Sequence, residues 1–260
     1  MKNKIMTIIT LLLMLTTTVV ATKSFGTTYI TSANQYYTVF FDEEGEAYVA
    51  LRLDIFNKDT QPIEFLNLEI PGDHMIIYKI IQEHSYGYEE IQAKPTRLAD
   101  SVYLTLDIMP IVKGQKSTFL VFYKVEGYVD SFLKKHDFEF ETIRIPYLTN
   151  DIKVTIDVQE GLELKGKDSK VNYMPDFNML NKGAALEAAE FRKMSDVMIR
   201  DYGYTKNANM LDPYESFSVT GTYAKNWFYI HLNLIMGIAF GLIGFIAILM
   251  FILFVKLIVK

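Results

Sequence analysis

The side chains in this sequence best suited to acid–base work or metal binding are four histidines, His74, His84, His136 and His231. Imidazole titrates near neutral pH and ligates transition metals. No two of them have the spacing of paired metal ligands. His74 follows Asp73 and His136 precedes Asp137, yet no Gly-x-Ser-x-Gly or comparable nucleophile motif accompanies either. Surface histidines are the expectation, and no catalytic residue is assigned. The densest acidic cluster, Asp42-Glu43-Glu44-Gly45-Glu46, lacks the alternating Asp/Asn spacing of a calcium loop. Its glycine suits a bulged hairpin turn between two strong strands. The 17 tyrosines could stack on sugars or peptides, but tyrosine is also a favoured strand residue. The loop-like run His84-Ser85-Tyr86-Gly87-Tyr88 is the exception, so Tyr86 and Tyr88 are the candidate ligand patch. No metal, cofactor or enzymatic activity is expected.

The constellation with the clearest mechanism is apolar. Gly237, Gly241 and Gly244 fall at i, i+4 and i+7, on one face of a helix. Missing side chains let a second helix approach closely, the usual basis of association between spans. The glycines lie in a run from Leu234 to Val255 without a charge. At ~1.5 Å per residue this run covers ~33 Å, enough to cross a bilayer core. Trp227, Phe228 and Tyr229 sit at its outer edge, where amphipathic rings favour the headgroup layer, with Lys256 and Lys260 on its short basic side. His231 and Asn233 are expected at the same interface. No LPxTG-type sorting motif precedes the run, since Leu211-Asp212-Pro213-Tyr214-Glu215 does not match. A lipid-anchor signal would end in its hydrophobic tail, whereas this sequence ends in lysine.

The other end resembles an export signal. Lys2 and Lys4 form a basic start, Ile5–Val20 an apolar stretch diluted by threonine, and Ala21 or Gly26 a cleavage position. The expected organisation is therefore a signal peptide over 1–26 and an extracytoplasmic domain over 27–225. A juxtamembrane segment and spanning helix follow over 226–255, then a cytoplasmic tail over 256–260. The expected location is a cell membrane, with a single pass and the N-terminal domain outside the cytoplasm.

With no cysteine, there is no disulfide framework, thiolate zinc site or thiol nucleophile, and a core alone must hold this domain. About 200 residues suffice for that. Setting Lys2, Lys4, Lys256 and Lys260 aside from 26 basic residues leaves 22, against 31 acidic ones, a balance of −9. Nucleic acid and an anionic lipid surface require a basic face and are poor partners.

Period-two alternation dominates the exported part. Ala47-Val49-Leu51-Leu53-Ile55, Val102-Leu104-Leu106-Ile108, Phe119-Val121-Tyr123-Val125 and Ile152-Val154-Ile156-Val158 each line one face of a strand. Polar residues such as Arg52, Asp54, Thr105 and Asp107 lie opposite. Half-buried strands of this kind belong to antiparallel sheets with one wet face. Further strands are expected near 35–41, 63–70, 75–81, 137–145, 162–165, 170–174 and 216–223. Turn signals separate them at Asp42–Gly45, Pro71-Gly72-Asp73, Lys113-Gly114 and Glu160-Gly161. The fold class expected is mainly β: an antiparallel β-sandwich with one C-terminal transmembrane helix. A sub-boundary near 146–150 is the place for a second module. One amphipathic helix is expected near 183–202, where Phe191, Met194, Met198 and Tyr202 keep helical spacing and Gly203 offers a stop.

Asp54-Ile-Phe-Asn57 running into Phe65–Pro71, then Gly114 before a strand and Ile145-Pro-Tyr147 before another, is similar in layout to the luminal domain of ribophorin-type oligosaccharyltransferase subunits. It also looks like other anchored β-ectodomains. The matching residues are general strand and turn types over about half of the exported part, so no family is assigned. The resemblance implies an accessory subunit. The functional expectation is a membrane-anchored binding or scaffold protein, an accessory subunit of a membrane complex. Its partners would be the bilayer and either a membrane protein or a second copy, met through the spanning helix. The alternatives are a cell-surface receptor or adhesin for sugar or peptide, and an extracytoplasmic hydrolase without a recognisable motif.

Overall fold

The computed structural model describes residues 31–72, 74–84, 87–166 and 204–258. The expected signal peptide, the strand near 170–174 and the helix near 183–202 lie outside the described residues.

The first layer is a seven-stranded sheet. It contains β1 (Ser32–Phe41), β2 (Ala47–Phe56), β4 (Met75–His84), β5 (Gly87–Glu90), β8 (Lys116–Val125), β11 (Leu148–Val158) and β13 (Tyr204–Leu211). Their order across the sheet is β13-β11-β1-β2-β8-β4-β5. The second layer has two parts. One is β3 (Ile63–Pro71), β7 (Ser101–Ile111) and β6 (Ala93–Arg97), in that order. The other is β12 (Glu163–Leu164), β14 (Ser218–Ala224), β10 (Lys135–Glu141) and β9 (Val129–Phe132), also in that order. The chain is mostly β, as the alternation implied.

One core joins the layers. The seven-stranded sheet contributes Tyr37, Phe41, Leu51, Leu53, Phe119, Val121, Tyr123, Ile152 and Val154. Leu66, Leu68, Leu104 and Leu106 come from the three-stranded sheet, and Phe138, Phe140, Val219 and Tyr223 from the four-stranded one. Each fully buried Val, Leu, Ile or Phe side chain among them contributes about 1.5–3 kcal/mol. Ile143 and Ile145 belong to the same core, and β11 starts at Leu148. Both sides of residues 146–150 therefore pack into one interior.

Two features depart from the sequence reading. First, β1 and β11 run parallel, with Tyr37 opposite Val154, inside an otherwise antiparallel sheet. Parallel neighbours need a crossover; here the crossover is everything between Phe41 and Leu148, which carries the whole three-stranded sheet and β9–β10. Second, the sheet's other face is covered rather than wet. Tyr36, Ala50, Ile81, Leu120 and Phe122 are buried there and pack with Tyr48, Tyr78 and Tyr88. Arg52 and Asp54 are buried on that face too. They are paired: Arg52 Nε donates to Asp54 Oδ1 at 3.1 Å, Lys116 Nζ lies 2.8 Å from Oδ2, and Thr118 donates at 2.8 Å. Burial pushes the Asp54 pKa up, and these partners more than reverse it, so the carboxyl sits below its ordinary range.

The Asp42–Glu46 segment is a turn. The Asp42 side chain accepts from the backbone N–H of Glu44 and of Glu46, at 3.1 and 2.8 Å, and Gly45 has φ +89°. A carboxylate folded onto its own loop satisfies donors that a strand end would leave open.

After β14 come α1 (Trp227–Ile230) and α2 (Leu232–Ile258). Asn226 caps α1 by accepting from Tyr229 N–H at 3.3 Å. The stretch Leu232–Val255 is long and apolar enough to cross a membrane.

Candidate functional site

A concavity lies on the outer face of the four-stranded sheet. Strands β10 and β14 pair with Phe138 opposite Gly221. Period two then sorts the residues. His136, Phe138, Phe140, Val219 and Tyr223 turn inward, while Asp137, Glu139, Ser218 and Thr220 stay exposed. The tip of the Phe138 ring lies against Gly221, where an added Cβ would stand 2.4 Å from Cζ. Glycine here is a requirement of close approach. Together with Gly72 and Asp100 from the ends of the three-stranded sheet, these strands enclose a groove of about 650 Å³.

The lining holds five carboxylates, Asp100, Asp130, Asp137, Glu139 and Glu141, and one cation, Arg144. Three of the carboxylates, Asp137, Glu139 and Glu141, are held by short bonds. Thr222 donates to Asp137 at 2.6 Å, Ser218 to Glu139 at 3.0 Å, and Lys135 Nζ lies 2.5 Å from Asp137. Arg144 bridges Glu69 at 2.7 Å and Glu141 at 3.1 Å. Partial burial raises the Asp137 pKa, but Lys135 and Thr222 outweigh it and hold it below the ordinary range. That direction favours a permanent anion and disfavours a general acid. Arg144 loses solvation, yet Glu69 and Glu141 raise its pKa further. Such a surface can accept cationic or hydroxyl-rich groups. No group of three or more His, Cys, Asp or Glu among the described residues could hold a metal ion.

The histidines are scattered. His74 is exposed, and the side chain of His84 lies outside the description. His231 ends α1, with its ring 4.5 Å from that of Trp227. His136 is buried, contrary to the surface position expected. Its ring stacks on Tyr223 at 4.7 Å and 10°, and its Nδ1 lies 2.7 Å from Ser131 Oγ. Position 136 faces inward because period two places it with Phe138 and Phe140. Burial lowers its pKa against the opposing pull of Glu43 and Asp137. Ser131 and His136 form a hydroxyl–imidazole pair. Among the described residues no carboxylate bonds the ring to orient it as a triad would.

The remaining candidates are spread widely. Gly237, Gly241 and Gly244 are exposed along α2, and a Cβ at any of them would meet nothing within 4 Å. Trp227 and Phe228 are exposed at the head of the helices and Tyr229 is partly so. Lys256 lies on α2, with its side chain outside the description, and Lys260 lies outside the described residues. Tyr88 is on β5, partly buried against the covered face of the large sheet, and Tyr86 lies outside the described residues. Tyr88 is not part of the groove. The sequence reading did not find the groove, whose wall comes from four separate stretches of chain, near residues 71–72, 100, 127–144 and 220–222. Its one visible signal was the alternation Asp137-x-Glu139-x-Glu141 against Phe138 and Phe140.

No family model matches the chain, and no curated protein matches it. Among solved structures it is similar to an M1 zinc metallopeptidase from Deinococcus radiodurans, at 9% identity and TM-score 0.38, over 75% of this chain and 42% of that one. It is also similar to the CBM3a-L domain of the scaffoldin of the Clostridium thermocellum cellulosome, at 7% identity and TM-score 0.26, over 38% of this chain and 68% of that one. The chain thus spans under half the length of the metallopeptidase. Neither likeness bears on what this chain does.

Proposed function

We propose that this chain is a membrane-anchored binding or scaffold protein, an accessory subunit whose β domain stands outside the cytoplasm. In this reading it docks to a membrane partner through the Gly237–Gly241–Gly244 face. The observation that carries it is the state of that face: three glycines on one side of an apolar helix, with nothing packed over them. A bare glycine face is where a second helix gains most van der Waals contact. Only Lys225 and Asn226 separate β14 from α1, so the domain stands close to the bilayer. That geometry suits contacts with neighbouring membrane proteins. A binding role without chemistry fits the groove, whose Asp137 is a fixed anion.

The receptor reading draws support from one observation, the acidic groove of about 650 Å³. It would select a peptide carrying positive charge over a neutral sugar.

Protease treatment of sealed native membranes tests the placement. Digestion of the domain from the outside, with α2 protected, is expected; full protection of the domain would contradict it. A version ending before Trp227 separates the two roles. Loss of the membrane partner on truncation supports the accessory subunit, whereas retained binding of a soluble ligand supports the receptor.

A further inference from the structure

We propose that the tip of the β9–β10 hairpin, Phe132-Leu133, is a second membrane contact that seats in the lipid headgroup layer beside the span. The proposal rests on the reading that α2 crosses a membrane, and extends it to how the domain stands on the bilayer.

Three observations converge on this tip. The first is exposure. Phe132 and Leu133 are 59% and 58% exposed, side by side at the end of a hairpin. Turn tips in water favour small and polar residues.

The second is backbone conformation. Leu133 has φ +49° and Lys134 φ +65°. These two residues form the entire loop between β9 and β10, so both central positions of a two-residue turn are left-handed. Asn-Gly and Asp-Gly are the sequences that suit such a turn. A leucine there gains no local hydrogen bond and gives its side chain to the outside. The fold would be better served by another residue, so the leucine serves something beyond the fold.

The third is position. Lys135, the first residue of β10, pairs with Ala224, the last residue of β14. The strands are antiparallel, so the tip overhangs the same end of the sheet from which the chain leaves for the span. Trp227 follows Ala224 by three residues, a reach of at most ~11 Å, and neighbouring strands are ~4.8 Å apart. The tip therefore lies at the level where the exposed rings of Trp227 and Phe228 begin. Four large apolar side chains from two separate stretches crowd this end, and an interfacial layer is where such side chains are at home.

The charge around the tip selects the kind of lipid contact. Lys134 is exposed, and Lys135 is held by Asp137. Glu43 and Glu44, on the turn between β1 and β2, lie at the same end, where Lys225 Nζ stands 3.9 Å from Glu43. With acids this near, attraction to anionic lipid is not the driving force. The contact is apolar insertion among zwitterionic headgroups, and it is insensitive to salt.

The test uses the full chain reconstituted in phosphatidylcholine bilayers containing brominated acyl chains. Trp227 is the only tryptophan; in a Trp227→Phe background, one tryptophan is placed in turn at Phe132, at Phe240 on α2, and at Phe65. Phe65 is exposed on β3, six residues before Pro71 at the membrane-facing end. Bromine is expected to quench Phe132→Trp several-fold more than Phe65→Trp, and most strongly when placed near the headgroup. Phe240→Trp is expected to be quenched by deep bromine. If Phe240→Trp is quenched while Phe132→Trp matches Phe65→Trp, the tip contact is overturned and the span stands; contact of the tip with a protein would give this result. If Phe240→Trp is not quenched, the span and the tip contact fall together. Leu133→Asn with Lys134→Gly, added to Phe132→Trp, is expected to raise the melting temperature in detergent and at least halve the quenching. A lowered melting temperature would show that Leu133 serves the fold and would also overturn the proposal.

Discussion

Gly221→Ala tests the packing that shapes the groove. A Cβ at 221 would stand 2.4 Å from Phe138 Cζ and 2.6 Å from Cε1. Ordinary carbon–carbon contact is ~3.5–4.0 Å, so the ring must retreat by more than 1 Å. It has little room to do so. Phe138 is buried, with Phe41 at a centroid distance of 4.8 Å on one side and Tyr223 and Tyr204 at 6.3 and 6.5 Å beyond. Overpacking of this kind costs ~1–3 kcal/mol. Removing a glycine from a strand returns ~0.5–1 kcal/mol of backbone entropy. The net expectation is a loss of up to ~2.5 kcal/mol, or a fall in Tm of up to ~10 °C for a domain of this size. Thermal unfolding of the detergent-solubilised chain, followed by near-UV circular dichroism, measures it. Phe138→Leu frees the space, so adding Gly221→Ala to Phe138→Leu should cost less than adding it to the native chain. A Gly221→Ala protein more stable than the native one, or strictly additive costs in the pair, would refute the close approach.

Asp54→Asn removes the anion that Arg52 and Lys116 share in a buried site. Breaking such a cluster costs ~3 kcal/mol, and Arg52→Ala combined with Asp54→Asn should cost less than the sum. Because the folded Asp54 pKa is depressed, its stabilisation is present above the ordinary carboxylate value and lost as pH falls through and below it. Titrating Tm from pH 6 to 3 should show a slope that Asp54→Asn weakens. His136 also has a depressed folded pKa, but as a base it acts in another window. Below its ordinary value of 6.5 the unfolded chain binds the extra proton, so stability falls as pH drops below about 6.5. His136→Phe keeps a ring against Tyr223 and should flatten Tm between pH 7 and 5; an unchanged slope would place the titration elsewhere.

The strands whose residues alternate strictly were legible in the sequence. Leu51-Leu53-Ile55, Val121-Tyr123-Val125 and Val154-Ile156-Val158 each face the shared core. The turn at Asp42–Glu46 was legible from its glycine and acids, and the apolar helix from its length. What was missed has identifiable causes. Strand β13, Tyr-Thr-Lys-Asn-Ala-Asn-Met-Leu, has no apolar alternation because it is an edge strand held to β11 by main-chain pairing. Strand β9 is four residues long and lacks a pattern of its own. The parallel β1–β11 pair is a property of topology, which period two cannot report. The second buried face was hidden because Arg52 and Asp54 look like solvent-facing residues until their pairing is seen. The groove was hidden because its acids come from β9, β10 and the turn before β7, which only the folded chain brings together. The glycine face and the aromatic edge were legible as patterns.

The most direct test of the accessory-subunit account is affinity purification of the full chain, tagged after Gly26, from native membranes in mild detergent. The eluate is weighed intact and compared with that of a Gly237→Ile, Gly241→Ile variant. The account predicts a stoichiometric membrane partner with the native chain and its loss with the variant, because two isoleucine side chains on that face keep another helix at a distance. A lone monomer, a self-dimer, or a partner retained in full by the variant would contradict it.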